Sequence, residues 1–204
     1  MKKKISKSQL SSFDLDYVGV KSPQFSFTRL KGSDPVLGVE MSSTGEVGCM
    51  GEDFEEAFLK SLISIGFNIP DNTILLSTGS LKNKLDFLQE TRMLYNMGFK
   101  FYATGGTAKF LAKHHMNAQV LHWPLEKKEP NALTYISKGK IDLVINIPKS
   151  TEKTELTNGY LIRRAAVDHN ISLITNSQLA KRFVKSLVTK SKKDLKIKSV
   201  EEYD

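Results

Sequence analysis

From residue 73 onward, short apolar runs alternate with helical patterns, and this alternation restricts the fold more than any other feature of the chain. "TILLST" (73–78), "FKFYAT" (99–104), "AQVLHW" (118–123), "KIDLVINI" (140–147) and "ISLIT" (171–175) read as strands. Helical patterns follow them at 81–98, 107–115, 131–139, 159–170 and 177–188. In the first of these, Leu81, Leu85, Leu88 and Tyr95 fall near one face, and Gly98 is a stop signal. Strands that are apolar throughout must be covered on both faces, which predicts an α/β fold with a parallel sheet between helices. Right-handed crossovers then bring every strand's C-terminal end to one edge, and ligands bind there, where the strand order reverses.

The first 70 residues follow another pattern. "DYVGVKSPQFSF" and "GVEMSSTGEVGCMG" are strand-like, with turns at Lys31-Gly32 and Asp34-Pro35, and "EDFEEAFLKSLISIG" (52–66) is an amphipathic helix ending at Gly66. So few elements make a thin core. Residues 1–70 therefore read as a small α+β appendage packed on the rest, or as the end of something larger. Residues 71–190 form the main unit and 191–204 a basic tail.

Composition excludes several functions. The net charge of +8 invites a nucleic-acid reading, but four lysines lie in the first seven residues and five in "KSKKDLKIK" near the end. The excess belongs to tails that read as solvated, and no basic stripe is interleaved with aromatics, so no nucleic-acid partner is expected. No apolar run approaches the roughly 20 residues that span a bilayer, and no apolar region follows the basic start, so neither a membrane nor secretion is expected. Cys49 is the only cysteine, which suits a reducing cytoplasm. His114, His115, His122 and His169 make no metal-ligand pattern.

Binding chemistry concentrates at the predicted strand ends. "ATGGTAKFL" (103–111) passes from strand to helix through Thr104, Gly105, Gly106 and Thr107. Helix starts present unpaired N–H groups and a positive dipole end to anions, glycines let main chain and anion approach closely, and the threonines add hydroxyls. Ser77 and Thr78 end the first strand, and Lys84 is placed to reach the same edge. Trp123 ends the third strand, where it serves either as an aromatic cover or as packing. Asn146 lies near the end of the fourth strand, and Asn158 stands before the next helix, as a binding group or an N-cap. The set fits an anion with a polar or flat remainder. No nucleophile–base pair is visible and no catalytic residue is assigned. Asp142 reads as structural, and Glu126 and Glu129 as part of a mobile charged loop.

Four stretches carry a family resemblance: "RLKGSDPVLGVEMSSTGEVGCMG" (29–51), "KIDLVINIPK", "NGYLIRRAAVDHNI" and "IKSVEEYD". Residues 71–188 resemble the methylglyoxal-synthase-like domain family. Residues 13–204 as a whole resemble the C-terminal end of the carbamoyl phosphate synthetase large chain, with 1–70 closing its last ATP-grasp unit. The resemblance implies a three-layer α/β/α domain with a five-stranded parallel sheet. It also implies a cytoplasmic, non-catalytic module regulating carbamoyl phosphate supply for pyrimidine and arginine synthesis. Its effector would be UMP, IMP or N-acetylglutamate, held by Lys84, Thr104, Gly105, Gly106, Thr107, Trp123, Asn146 and Asn158. Lys149 stands where the acetylglutamate-sensing branch has an asparagine. The implied partners are the rest of the large chain and its glutaminase small chain. ATP and Mg or Mn belong to that parent enzyme, and no cofactor or metal is expected in this segment. The alternative is a methylglyoxal synthase acting on dihydroxyacetone phosphate. "WPLEKKEPN" and "NIPKS" lack the aspartates such synthases use in these loops, and no Lys-Thr-Leu-His-Pro-like motif of the related purine cyclohydrolase is present.

Overall fold

The computed structural model describes residues 15–36, 43–148 and 153–203, with only the backbone of 153–156 and of Val200. The basic N-terminal stretch and Lys149 lie outside the described residues. Strands β1 (Val18–Gln24) and β2 (Gly45–Gly51) pair antiparallel and lead into helix α1 (Phe54–Ser64). The other strands are β3 (Thr73–Thr78), β4 (Lys100–Thr104), β5 (Ala118–Leu121), β6 (Leu143–Ile147) and β7 (Ser172–Ile174). They form one parallel sheet in the order β5-β4-β3-β6-β7. The connecting helices are α2 (Leu81–Asp86), α3 (Leu88–Asn96), α4 (Gly105–Lys113), α5 (Ala132–Ser137) and α6 (Lys153–Asp168), and α7 (Ser177–Thr189) closes the fold.

Alternation along the central strands builds the layers. Ile74 and Leu76 of β3, with Leu143 and Ile145 of β6, join one buried cluster with Leu94, Phe110, Leu111 and Phe183 from α3, α4 and α7. Leu75 and Val144 face the opposite way, onto Ile136, Ile162 and Ala166 of α5 and α6. Both faces are therefore covered, as strands without polar alternation require. Helix α1 puts Phe58, Leu59 and Leu62 into the first cluster, so the N-terminal part shares the main core. Among the described residues no helix is long and apolar enough to cross a membrane.

The structure corrects several expectations. The helix over 81–98 breaks at Phe87, which is 1% exposed and both ends α2 and opens α3. Leu81 and Leu85 consequently face solvent. Burial of the aromatic ring takes precedence over helix continuity. Helix α6 starts at Lys153, so Asn158 lies inside it rather than before it. The loop at 124–131 is tied down: His122 Nδ1 meets Glu126 at 2.6 Å, and Glu129 accepts from Asn131 N–H and the Thr134 hydroxyl. The C-terminal segment is not a free solvated tail. Lys196 and Lys198 pair with Glu52 at 2.8 and 2.7 Å, and the Tyr203 hydroxyl donates to Met50 O.

Two predictions follow from this packing. A Cβ on Gly51 would lie 2.4 Å from Ala57 N and 2.9 Å from Asp53 O, both main-chain atoms, whereas one on Gly48 would meet nothing within 4 Å. Gly51→Ala is expected to destabilise by about 1–3 kcal/mol through overpacking, with Gly48→Ala much closer to wild type, as read by thermal melting. The second concerns acid. Hydrogen bonds from Lys196, then Lys198, hold the Glu52 carboxyl down, from an ordinary 4.5 to about 2. Its folded value is depressed, so its contribution is in place above pH 4.5 and is lost as the pH falls toward 2. Melting temperatures of wild type and Glu52→Gln should therefore converge over that range, and the gap at neutral pH should shrink with salt. A gap that stays constant with pH rejects the pairing.

Candidate anion-binding site

The strand order places the reversal beside β3, and a cleft opens there at the C-terminal ends of β3, β4 and β6. Its volume is about 100 Å³, room for a phosphate- or carboxylate-sized group. Ser77, Thr78 and Gly79 come from the end of β3, Thr104 from the end of β4, and Gly106 and Thr107 from the first turn of α4. Asn146, Ile147 and Pro148 follow from β6, and Lys84, Trp123, Gly159 and Arg163 complete the lining.

Helix α4 begins two residues earlier than the sequence pattern indicates. Thr104 is its N-cap, and its side chain makes no capping bond. The first-turn amides, which have no partner within a helix, are thus left without a side-chain cap. A Cβ on Gly105 or Gly106 would meet nothing within 4 Å, and neither has a positive φ. The glycines therefore serve by leaving space over the amides and not by permitting an unusual turn. Gly106 lines the cleft, while Gly105 does not.

The hydroxyls differ in how far they are committed. Thr107 Oγ1 accepts from Thr78 N–H at 3.2 Å and donates to Thr78 O at 3.3 Å, binding the end of β3 to α4. Thr104 Oγ1 makes only a 3.5 Å contact with Ser77 Oγ. Both threonines are buried. Lys84 Nζ donates to Gly79 O at 2.6 Å, which draws the cation to the edge of the cleft. Trp123 lines the cleft and also packs on the α5–α6 cluster. Asn146 Oδ1 accepts from Arg163 Nη1 at 2.8 Å.

Asn158 does not join the lining, nor does it cap a helix. Its Oδ1 accepts from Leu125 N–H and anchors the 3₁₀ turn Pro124–Glu126. Asp142 accepts from the N–H groups of Asn72 and Thr73, at the opposite edge of the sheet, and so aligns strand starts. Among the described residues no carboxylate lines the cleft, and no cluster of three or more His, Cys, Asp or Glu could hold a metal.

Arg163 is the residue that sequence reasoning missed. Its guanidinium is 2% exposed and is neutralised by Asp34, 129 residues away, with Nε 2.7 Å from Oδ1. The only signal available was a pair of arginines inside the apolar run "YLIRRAA".

Residues 86–175 match the family model for the MGS-like domain. Residues 86–175 are an MGS-like domain. The chain as a whole is 45% identical over 181 residues to the Multifunctional protein URA2 of Saccharomyces cerevisiae, covering 84% of this chain and 8% of that protein. It is 43% identical over 184 residues to the Multifunctional protein CAD of Squalus acanthias, covering 83% of this chain and 8% of that one. It is 42% identical over 185 residues to the mitochondrial carbamoyl-phosphate synthase [ammonia] of Homo sapiens, covering 89% of this chain and 12% of that enzyme. The chain thus spans only a small fraction of these relatives. Their similarity extends past the MGS-like domain on at least one side, over more of this chain than the 90 residues of 86–175.

The bonding of Thr107 yields a prediction about the MGS-like domain itself. Thr107→Val leaves the buried Thr78 N–H without its acceptor, a loss of about 1–3 kcal/mol. Thr104→Val, whose hydroxyl has only one long contact, should melt within about 1 kcal/mol of wild type. Equal melting of the two variants would refute this division of roles.

Proposed function

We propose that the cleft senses a small anion and that the chain acts as the non-catalytic regulatory part of a carbamoyl phosphate synthetase. One observation carries this reading. Two cationic side chains, buried hydroxyls and the side-chain-uncapped start of α4 converge on one cleft, and no carboxylate lines it among the described residues. Such a lining stabilises negative charge and offers no carboxylate or histidine as a general base among the described residues.

The relatives supply the setting. Their names include a carbamoyl-phosphate synthase and multifunctional proteins, so the partner proposed for this chain is the remainder of such a synthetase large chain, with its glutaminase small chain. ATP and divalent metal belong to that remainder. The effector is a nucleotide such as UMP or IMP, or N-acetylglutamate. Its phosphate or carboxylate lies over the first turn of α4, and its flat or acyl part lies against Trp123. Lyase action on dihydroxyacetone phosphate gains no support from a cleft whose described lining has no proton acceptor of carboxylate type.

Calorimetry with UMP, IMP and N-acetylglutamate tests the reading on wild type, Lys84→Ala and Thr104→Val. At least one of the three should bind saturably. A charge-assisted hydrogen bond contributes about 1.5–3 kcal/mol, so Lys84→Ala should weaken binding about tenfold or more, and Thr104→Val by less. Absence of binding by all three ligands rejects the sensing role. Release of methylglyoxal from dihydroxyacetone phosphate above a heat-killed control establishes the lyase instead. Regulation further requires coupling to a second site, measured as a shift in ATP-dependent carbamoyl phosphate synthesis in the assembled enzyme.

A further inference from the structure

Arg163 belongs at once to the cleft and to the N-terminal segment. On the cleft side it is a lining residue and donates to Asn146. On the other side its Nε and Nη2 grip both oxygens of Asp34. We propose that Asp34 is a built-in competitor for the anion, so that docking of segment 27–34 onto α6 and occupancy of the cleft oppose each other. The inference rests on the sensing role proposed above and adds its control.

Three observations support it. The guanidinium has a prepared seat: a Cβ on Gly159 would lie 2.9 Å from Arg163 Nη1 and 3.7 Å from Asn146 Oδ1, so α6 carries no side chain where the cation crosses it. The pair is unequal in burial, since the Asp34 side chain is 41% exposed against 2% for Arg163. Asp34 regains hydration readily on leaving, whereas the buried guanidinium needs an anion in its place. The segment is also held to the same helix by neutral acceptors. Tyr160 OH donates to Gly32 O, and Arg164 donates to Phe27 O, Leu30 O and Ser33 O. Asp34 supplies the negatively charged contact among these.

The sign follows from Coulomb's law. With Asp34 docked, the Arg163–Asp34 pair is neutral. A second anion beside the same guanidinium repels the Asp34 carboxylate, most strongly where water is excluded. Ligand binding therefore loosens the segment, by reciprocity docking weakens ligand binding by the same factor, and removal of the Asp34 charge tightens ligand binding.

The test uses the full chain. Asp34→Asn keeps the shape and removes the charge, and Asp34→Glu restores it. Calorimetry with inorganic phosphate, UMP and N-acetylglutamate should show Asp34→Asn binding about fivefold tighter or more, the lower end of ordinary coupling, with Asp34→Glu returning toward wild type. In wild type, which needs no variant to fold, saturating ligand should speed hydrogen exchange of the amides of residues 27–34. Saturable binding with Asp34→Asn no tighter than wild type, or with exchange unchanged or slowed, overturns the competition and leaves the sensing role standing. Binding of no anion to any form overturns both.

Discussion

Parallel strands joined by right-handed crossovers have one edge on which all their C-terminal ends meet, and the chemistry of this molecule depends on that constraint. With the order β5-β4-β3-β6-β7, the chain leaves β3 for β4 and β5 and returns to its other side for β6. The gap so created receives Ser77 and Thr78, Thr104, and Asn146 from three different strands. These residues are far apart in sequence, and no local motif unites them. The same constraint explains Asp142, a carboxylate one residue before β6 yet remote from the cleft. It lies at the strand starts, where it accepts from Asn72 and Thr73.

A second dependency runs through the buried cations of α6. Arg163 and Arg164 are both nearly withdrawn from water, and a guanidinium so placed requires acceptors wherever it lies. Segment 27–34 provides a carboxylate for Arg163 and three main-chain carbonyls for Arg164, whose charge is also paired with Asp168 of α6 itself. Helix α1 meanwhile contributes Phe58, Leu59 and Leu62 to the cluster that includes Leu76 and Phe183. The N-terminal part is thus bound to the MGS-like domain twice, by apolar packing on one face of the sheet and by buried charge on the other.

What the sequence made legible was what local patterns determine. The strands could be read because apolar, β-branched runs bounded by glycine or polar residues have few other uses. Lys84, Thr104, Gly106, Thr107, Trp123 and Asn146 could be placed at the cleft because parallel topology carries strand ends and following helix starts to one edge. The rest was set by distant partners. Phe87 breaks a helix whose periodicity is otherwise continuous, since its burial is decided by the core it enters. The start of α6 lies in the polar stretch "KTELTN", which has no apolar repeat to mark it. Asn158 was displaced from the lining because that start was missed. Arg163 reads as a solvated helix charge until Asp34 is brought beside it, and Lys196 and Lys198 read as a free tail until Glu52 is.

The internal bonding of the cleft bears on the sensing role proposed for it. Lys84 is bonded to Gly79 O, Thr107 to the main chain of Thr78, and Asn146 to Arg163, which in turn holds Asp34. An anion finds the first-turn amides of α4 without a side-chain cap, but one that also draws on Lys84, Thr107 or Arg163 must compete with the contacts these already make, and the loss of an old contact then accompanies the new one. A ligand shifts a conformational equilibrium only through contacts that differ between the two states. Here the contacts at stake join β3 to α2, β3 to α4, and α6 to the N-terminal segment. Rearranging them changes how these elements are held relative to one another. A cleft lined only by idle donors would bind an anion with less internal cost and would have less to transmit.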